Sequence, residues 1–188
     1  ATDGNPYRPV IQAKYFHVIG WSGLAFPQYK DGNDARIRAI IRWGHLPSGF
    51  NLASSFGKGD ATQQIDLAIH DLQASIFVGG DFRLRERKVR GRSLVVAIRG
   101  EPPFSDKDFA DSLPRIVGFE RDFWADNNFP YFLVSFLSLD KECSSRVNYA
   151  GTAHQNSFRA YFPQDCPLLS EMNELISHEN TLNFNFIE

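Results

Sequence analysis

The sequence predicts an α+β fold, with a β-rich, sandwich-like first half followed by a mixed sheet carrying two main helices. Three observations predict it. Residues 8–80 break into short apolar runs separated by turn-forming residues. Beyond about residue 85, apolar runs of strand length alternate with two stretches of helical spacing. The chain of 188 residues is 43% hydrophobic and holds seventeen Phe, a composition that builds a packed core and excludes a disordered chain. The change of pattern divides the chain into residues 1–85 and 86–188.

In the first half, His17-Val-Ile-Gly-Trp21 and Ser22–Phe26 are apolar segments closed by Pro27. Asp31-Gly-Asn-Asp34 has the composition of a turn. Ala35–Trp43 alternates charged and apolar residues until Ile40-Ile41, which predicts a half-buried strand with a bulge at that slip. Leu46-Pro-Ser-Gly-Phe50 is a second turn, and Asp71–Val78 reads as a strand closed by Gly79-Gly80. The basic run Arg83–Arg92 is best read as a charged strand edge or connector.

In the second half, Ser93–Arg99 is a strand ended by Gly100-Glu-Pro-Pro103. Ser105-Asp-Lys-Asp108 is a capping box with Asp in the place of Glu. Phe109, Leu113, Ile116, Val117, Phe123 and Trp124 follow it at helical spacing, with a kink expected at Pro114. Tyr131–Leu139 and Ser157–Phe162 are strands. A last helix begins near Pro167 with Asp165 as its N-cap.

A net charge of −2 supplies no general attraction to nucleic acid or to an anionic membrane, and neither is expected as a partner. The longest apolar run, Tyr131–Leu139, is far short of the ~20 residues of a membrane helix. Cys143 and Cys166 flank one predicted strand and read either as one disulfide or as two thiols.

The last helix carries an ionisable residue where an apolar one belongs. Leu168, Leu169, Met172, Leu175, Ile176 and Leu182 form its apolar stripe, and Glu179 follows Met172 by seven residues and Leu175 by four. A carboxylate on such a face must be paired, neutral, near a metal or in a cleft. His178 precedes it, in line with Glu174 and Glu171, where a solvated helix residue also fits. The zinc-helix pattern H-E-x-x-H needs a second His at 182, where this chain has Leu.

Several stretches, in order, resemble the glycyl aminopeptidase family of thermolysin-like zinc metallopeptidases. They are Tyr15–Trp21, Leu46–Ser55, Ser75–Arg83, Val96–Gly100, the helix from Phe104 to Trp124 and Tyr149–Phe158. Residues 178–185, HENTLNFN, align without a gap to a family segment like HELFHNWN. The resemblance implies a chain that starts within a β-rich domain and ends inside a thermolysin-like N-subdomain. It implies His178 as a first zinc ligand and Glu179 as the general base that activates metal-bound water. Leu182 stands where the second ligand belongs, and the family's third ligand, a Glu, falls after residue 188. Gly151, Thr152, Ala153 and His154 match the substrate-binding segment, with Ala153 where the family has Glu. His154 is a substitute ligand only if its strand passes beside the helix.

The expectation is therefore a metallopeptidase-related chain whose family uses zinc but which itself binds none and does not hydrolyse peptides. Its partner is a peptide or another protein. The alternative is a non-catalytic binding or assembly module. Leu175, Leu182, Phe184 and Phe186 are expected to find cover in a homodimer or through a rearranged tail, with Asn183–Ile187 forming a strand.

Overall fold

Alternation of side chains along short strands builds the first unit of the computed structural model, residues 1–82, and a separate unit spans 83–188. The structure describes residues 9–27, 34–123, 125, 131–139, 150–154, 156–163 and 169–185, with backbone alone at 139, 150, 152, 153 and 179–185.

The first unit contains, in order, β1 (Val10–Ile11), β2 (Tyr15–Ile19), α1 (Gly20–Gly23), β3 (Arg36–Ile41), β4 (Asn51–Ser54), β5 (Gly57–Lys58), β6 (Gln63–Ala68), α2 (Ile69–Gln73) and β7 (Ile76–Gly80). Strands β1-β2-β7-β4-β5 form one antiparallel sheet, and β3 pairs with β6. On β2, Tyr15, His17 and Ile19 are buried while Phe16 and Val18 are half-buried, the period of two that a strand imposes. Helices α1 and α2 meet backbone to backbone at Gly20. A Cβ there would lie 2.0 Å from the Leu72 carbonyl oxygen, so only glycine permits the contact.

Two expectations for this unit are corrected. The expected strand over 71–78 is split: residues 69–73 form the helical turn α2, and the strand starts at Ile76 and includes Gly79 and Gly80. The Asp71 carboxylate accepts the Ala68 backbone N–H at 3.2 Å, a local cap that favours the turn over extension. The expected bulge at Ile40-Ile41 is absent, because β3 and β6 keep one register from Arg36↔Ala68 to Ile41↔Gln63. The slip in the pattern leaves Ile40 on the exposed side instead.

The second unit contains β8 (Arg83–Val89), β9 (Arg92–Arg99), α3 (Asp106–Phe123), β10 (Tyr131–Leu139), β11 (Ala150–His154), β12 (Ser157–Pro163) and α4 (Leu169–Asn185). Its sheet has the order β11-β12-β10-β9-β8. The three central strands are parallel, and the two edge strands are antiparallel to their neighbours. The expected α+β architecture, β-rich and then mixed with two main helices, is present.

Each central strand turns one wholly apolar face to the helices. Leu94, Val96 and Ile98 of β9, Phe132, Val134 and Phe136 of β10, and Phe158, Ala160 and Phe162 of β12 form a core with Phe109, Leu113 and Val117 of α3 and Met172 and Ile176 of α4. Both helices therefore cover the same face. Helix α3 starts on the expected cap: Ser105 Oγ accepts the Asp108 N–H at 3.0 Å and donates to the Asp108 carboxylate at 2.7 Å. The helix runs through Pro114 as one element.

The basic run becomes the edge strand β8. Residues 90 and 91 close it onto β9, with φ of +50° and +78°, a two-residue turn that favours glycine at its second place. Register places Arg83, Arg85 and Arg87 on the helix-covered face, opposite Ile98, Val96 and Leu94. They meet acids spaced along α3: Arg83 pairs with Asp106 at 2.7 Å, Arg87 with Asp111, and Arg90 with Asp122. Lys107 and then Arg87 hold the Asp111 carboxyl below its usual range. The cations are thus engaged by the fold's own carboxylates.

Three further expectations change. Phe123, placed in the α3 stripe, is 68% exposed and stacks on the equally exposed Phe119 at 6.4 Å. The expected strand at the tail is helical at least through Asn185. Leu175, expected to be covered by a homodimer contact or a rearranged tail, packs half-buried against the unit's own core. Asp165 as an N-cap, Trp124, Phe186, Cys143 and Cys166 lie outside the described residues. Among the described residues, no helix is long and apolar enough to cross a membrane.

Candidate functional site

The sequence-predicted residues converge on one edge of the second unit. Gly151–His154 belong to β11, which pairs with β12 on one side and has no strand on the other among the described residues. Helix α4, which carries His178, packs against β11, β12 and α3. Two hydrogen bonds tie it to α3: Ser112 Oγ donates to Asn173 Oδ1 at 2.9 Å, and Ser177 Oγ donates to the buried Glu120 carboxylate at 3.1 Å.

Strand parity then separates the two histidines. Directly paired residues of an antiparallel ladder share a face. Gly151 pairs with Ala160, which lies in the core under α3 and α4. His154 pairs with Ser157, on the same side as Arg159 and Tyr161 and opposite to Phe158, Ala160 and Phe162. So the strand does pass beside the helix, but the imidazole at 154 is on the far face of the sheet. His154 therefore does not face α4, where a substitute for the ligand missing at position 182 would have to stand beside His178.

The surroundings of His154 agree with that placement. It is 8% exposed, and its Nε2 has no hydrogen-bond partner among the described residues. Burial, with a smaller contribution from the Arg159 cation, pushes its pKa down to about 4. The Arg159 guanidinium is itself buried, 4.4 Å from the centre of the Tyr161 ring. Position 152 of β11 pairs with Arg159.

This gives a pH dependence with a defined sign. Above about pH 6.5 the imidazole is neutral whether the chain is folded or unfolded, and it makes no difference to stability. Between pH 6.5 and about 4 only the unfolded chain takes up the proton, so stability should fall by ~1.4 kcal/mol per pH unit. Urea midpoints from pH 7.5 to 4.5 should show this loss, and His154→Gln should flatten it. An unchanged slope in that variant would assign the effect elsewhere.

His178 is exposed on α4. The backbone is helical at 179 and 182, which places position 182 one turn after His178 and position 179 three residues after the buried Ile176. The side chains of Glu179 and Leu182 are outside the described residues, as are those of Thr152 and Ala153.

A catalytic zinc requires three protein ligands and an open position. This edge offers one imidazole on α4, an alkyl residue one turn later, and a second imidazole turned to the opposite face of the sheet. Among the described residues, no three metal-ligating side chains come together. What the arrangement does provide is a strand edge with no neighbouring strand among the described residues, and the N–H and C=O groups of such an edge can accept another extended chain.

Reasoning from sequence missed the buried charges Glu120, Arg121 and Arg159. For Arg159 a signal existed. Ser157, Arg159 and Tyr161 alternate with Phe158, Ala160 and Phe162, which marks two chemically different faces of one buried strand.

No family model matches the chain, and no curated protein sequence matches it. Solved structures do. An aminopeptidase N family protein from Idiomarina loihiensis superposes with a TM-score of 0.72 at 12% identity, over 94% of this chain and 31% of that one. Legionella pneumophila aminopeptidase A, solved with aspartic acid, gives a TM-score of 0.51 at 13% identity, over 94% of this chain and 23% of that one. The fold is that of the M1 zinc aminopeptidases. An M1 zinc metallopeptidase from Deinococcus radiodurans is a weaker match, with a TM-score of 0.49 at 11% identity, over 95% of this chain and 43% of that one. The chain spans less than a third of the length of the Idiomarina and Legionella proteins.

Proposed function

We propose that this chain is a metallopeptidase-related protein that holds an extended peptide along the free edge of β11 and does not hydrolyse it. One observation carries the reading. β11 is an edge strand beside the helix on which an M1-like zinc site would stand, and that helix has Leu182 where a second imidazole is needed. The peptide gains main-chain hydrogen bonds from β11, and Gly151–His154 line its path. Within the M1 fold, the stretches that resemble glycyl aminopeptidases favour peptides that begin with a small residue.

Calorimetry with Gly- and Ala-leading peptides, in the presence of zinc, tests this directly. Saturable binding is expected, with the peptide recovered intact by mass spectrometry and no stoichiometric zinc on the protein. Cleavage that disappears in Glu179→Gln would establish an enzyme and overturn the reading. Absence of binding would overturn it as well.

A further inference from the structure

The β-rich first unit contains a cleft of about 400 Å³, within the ~300–1,000 Å³ of small-molecule sites. Its floor is the outward face of the five-stranded sheet. Phe16 and Val18 of β2 share that face with Phe77 of β7, which pairs with Val18. Ala39 and Ile41 of β3 contribute a second wall. Trp43, just past the end of β3, spans the two, with its ring 5.9 Å from that of Phe16 and 6.2 Å from that of Phe77. Gly23 lets the end of α1 close down on the Val18 wall, where a Cβ would come within 1.9 Å of Cγ1. Leu24 and Ile40 line the cleft while remaining 42% and 47% exposed. Apolar surface is thus left open to water around a preformed hollow, a combination that marks binding sites.

The polar groups of the cleft are all of one kind. The Trp43 indole N–H is buried without a hydrogen-bond acceptor. Arg42 lines the same cleft, is exposed, and has no ion pair or hydrogen bond among the described residues, unlike Arg38, which pairs with Asp66 at 3.1 Å. Both groups are donors only. Among the described residues, no carboxylate lines the cleft. A buried donor left unmet is costly, and the natural complement of two adjacent donors over an apolar floor is an anionic acceptor with an apolar body.

We propose that this cleft binds a small apolar carboxylate, with its hydrocarbon part against Phe16, Val18 and Phe77 and its carboxylate between the Trp43 N–H and the Arg42 guanidinium. The site lies wholly within residues 1–82 and is independent of the peptide edge on β11, so either assignment can fail alone.

The test is calorimetric titration of the whole chain with octanoate and with 1-octanol, which has a similar chain and no charge. Octanoate should bind with one-to-one stoichiometry and about tenfold more tightly than octanol, the weight of one charge-assisted hydrogen bond. Arg42→Gln, at an exposed position, should erase that preference. Equal affinities for octanoate and octanol in the parent protein, a preference that survives in Arg42→Gln, or no saturable octanoate binding would each overturn the proposal.

Discussion

Replacing Phe136 by alanine is expected to cost the second unit about 3–5 kcal/mol, the range for emptying a buried aromatic position. Phe136 sits at the middle of β10, the central strand of its sheet, and is fully buried. Its ring centre is 3.8 Å from that of Phe162 on β12, 4.8 Å from Phe109 on α3 and 5.7 Å from Phe104. Alanine would remove the body that holds these three rings apart. Collapse is hindered because two of them belong to elements fixed elsewhere, Phe162 by the β10–β12 ladder and Phe109 by the cap of α3. Domains of this size are stable by only ~5–15 kcal/mol, so such a loss is a large fraction of the unit's stability. Urea unfolding followed by circular dichroism measures the loss from the shift in midpoint, provided the slope is unchanged. The control is Phe123→Ala on the same unit. That ring is 68% exposed, and its removal should change stability by no more than about 0.5 kcal/mol. Equal losses for the two variants would mean that the rings around Phe136 do not form the core described.

Leu182→His should create metal affinity where the parent chain has little. Helix α4 continues through Asn185, so residues 178 and 182 are one turn apart on one side of the helix. Two imidazoles at that spacing converge on a single ion, whereas His178 alone supplies one ligand. Zinc affinity, measured by competition with a chromogenic chelator, should rise at least about tenfold, equivalent to 1.4 kcal/mol. The gain should vanish when His178→Ala is added, and it should fade below about pH 6, where imidazoles protonate rather than ligate. Identical zinc affinity in the parent and in Leu182→His would remove the basis for treating this helix as a former metal scaffold. It would leave the strand order at β11 unchanged, but would remove the part of the proposed function that rests on Leu182.

Much of the second unit is legible along the chain. Tyr131–Leu139 forms β10 over the residues expected, and Ser105 caps α3 through the hydrogen bond that its spacing to Asp108 implies. Both depend on neighbours a few residues apart: a mostly apolar run of strand length, broken only by Ser135 and Ser138, and a hydroxyl beside an orphan N–H for a cap. The first unit is harder to read. Residues 69–80 hold one helical turn and one strand within a single apolar stretch, and such runs are ambiguous between the two periods. The short strands β4 and β5, of four and two residues, are too short for either period to show.

Local chemistry therefore determined the class of the fold, the caps and turns, and the fact that position 182 lacks an imidazole. Register was beyond its reach. Whether His154 lies on the face of α4 or on the face of Arg159 depends on which β12 residue it pairs with, and that choice is made by long-range ladders with a side-chain period of two. The basic strand β8 shows the same limit: its charges are visible in the sequence, but their engagement by Asp106, Asp111 and Asp122 exists only because α3 packs across that edge. The cleft under Trp43 is likewise a product of tertiary structure, since its floor and its second wall come from strands of different sheets, brought together only by folding.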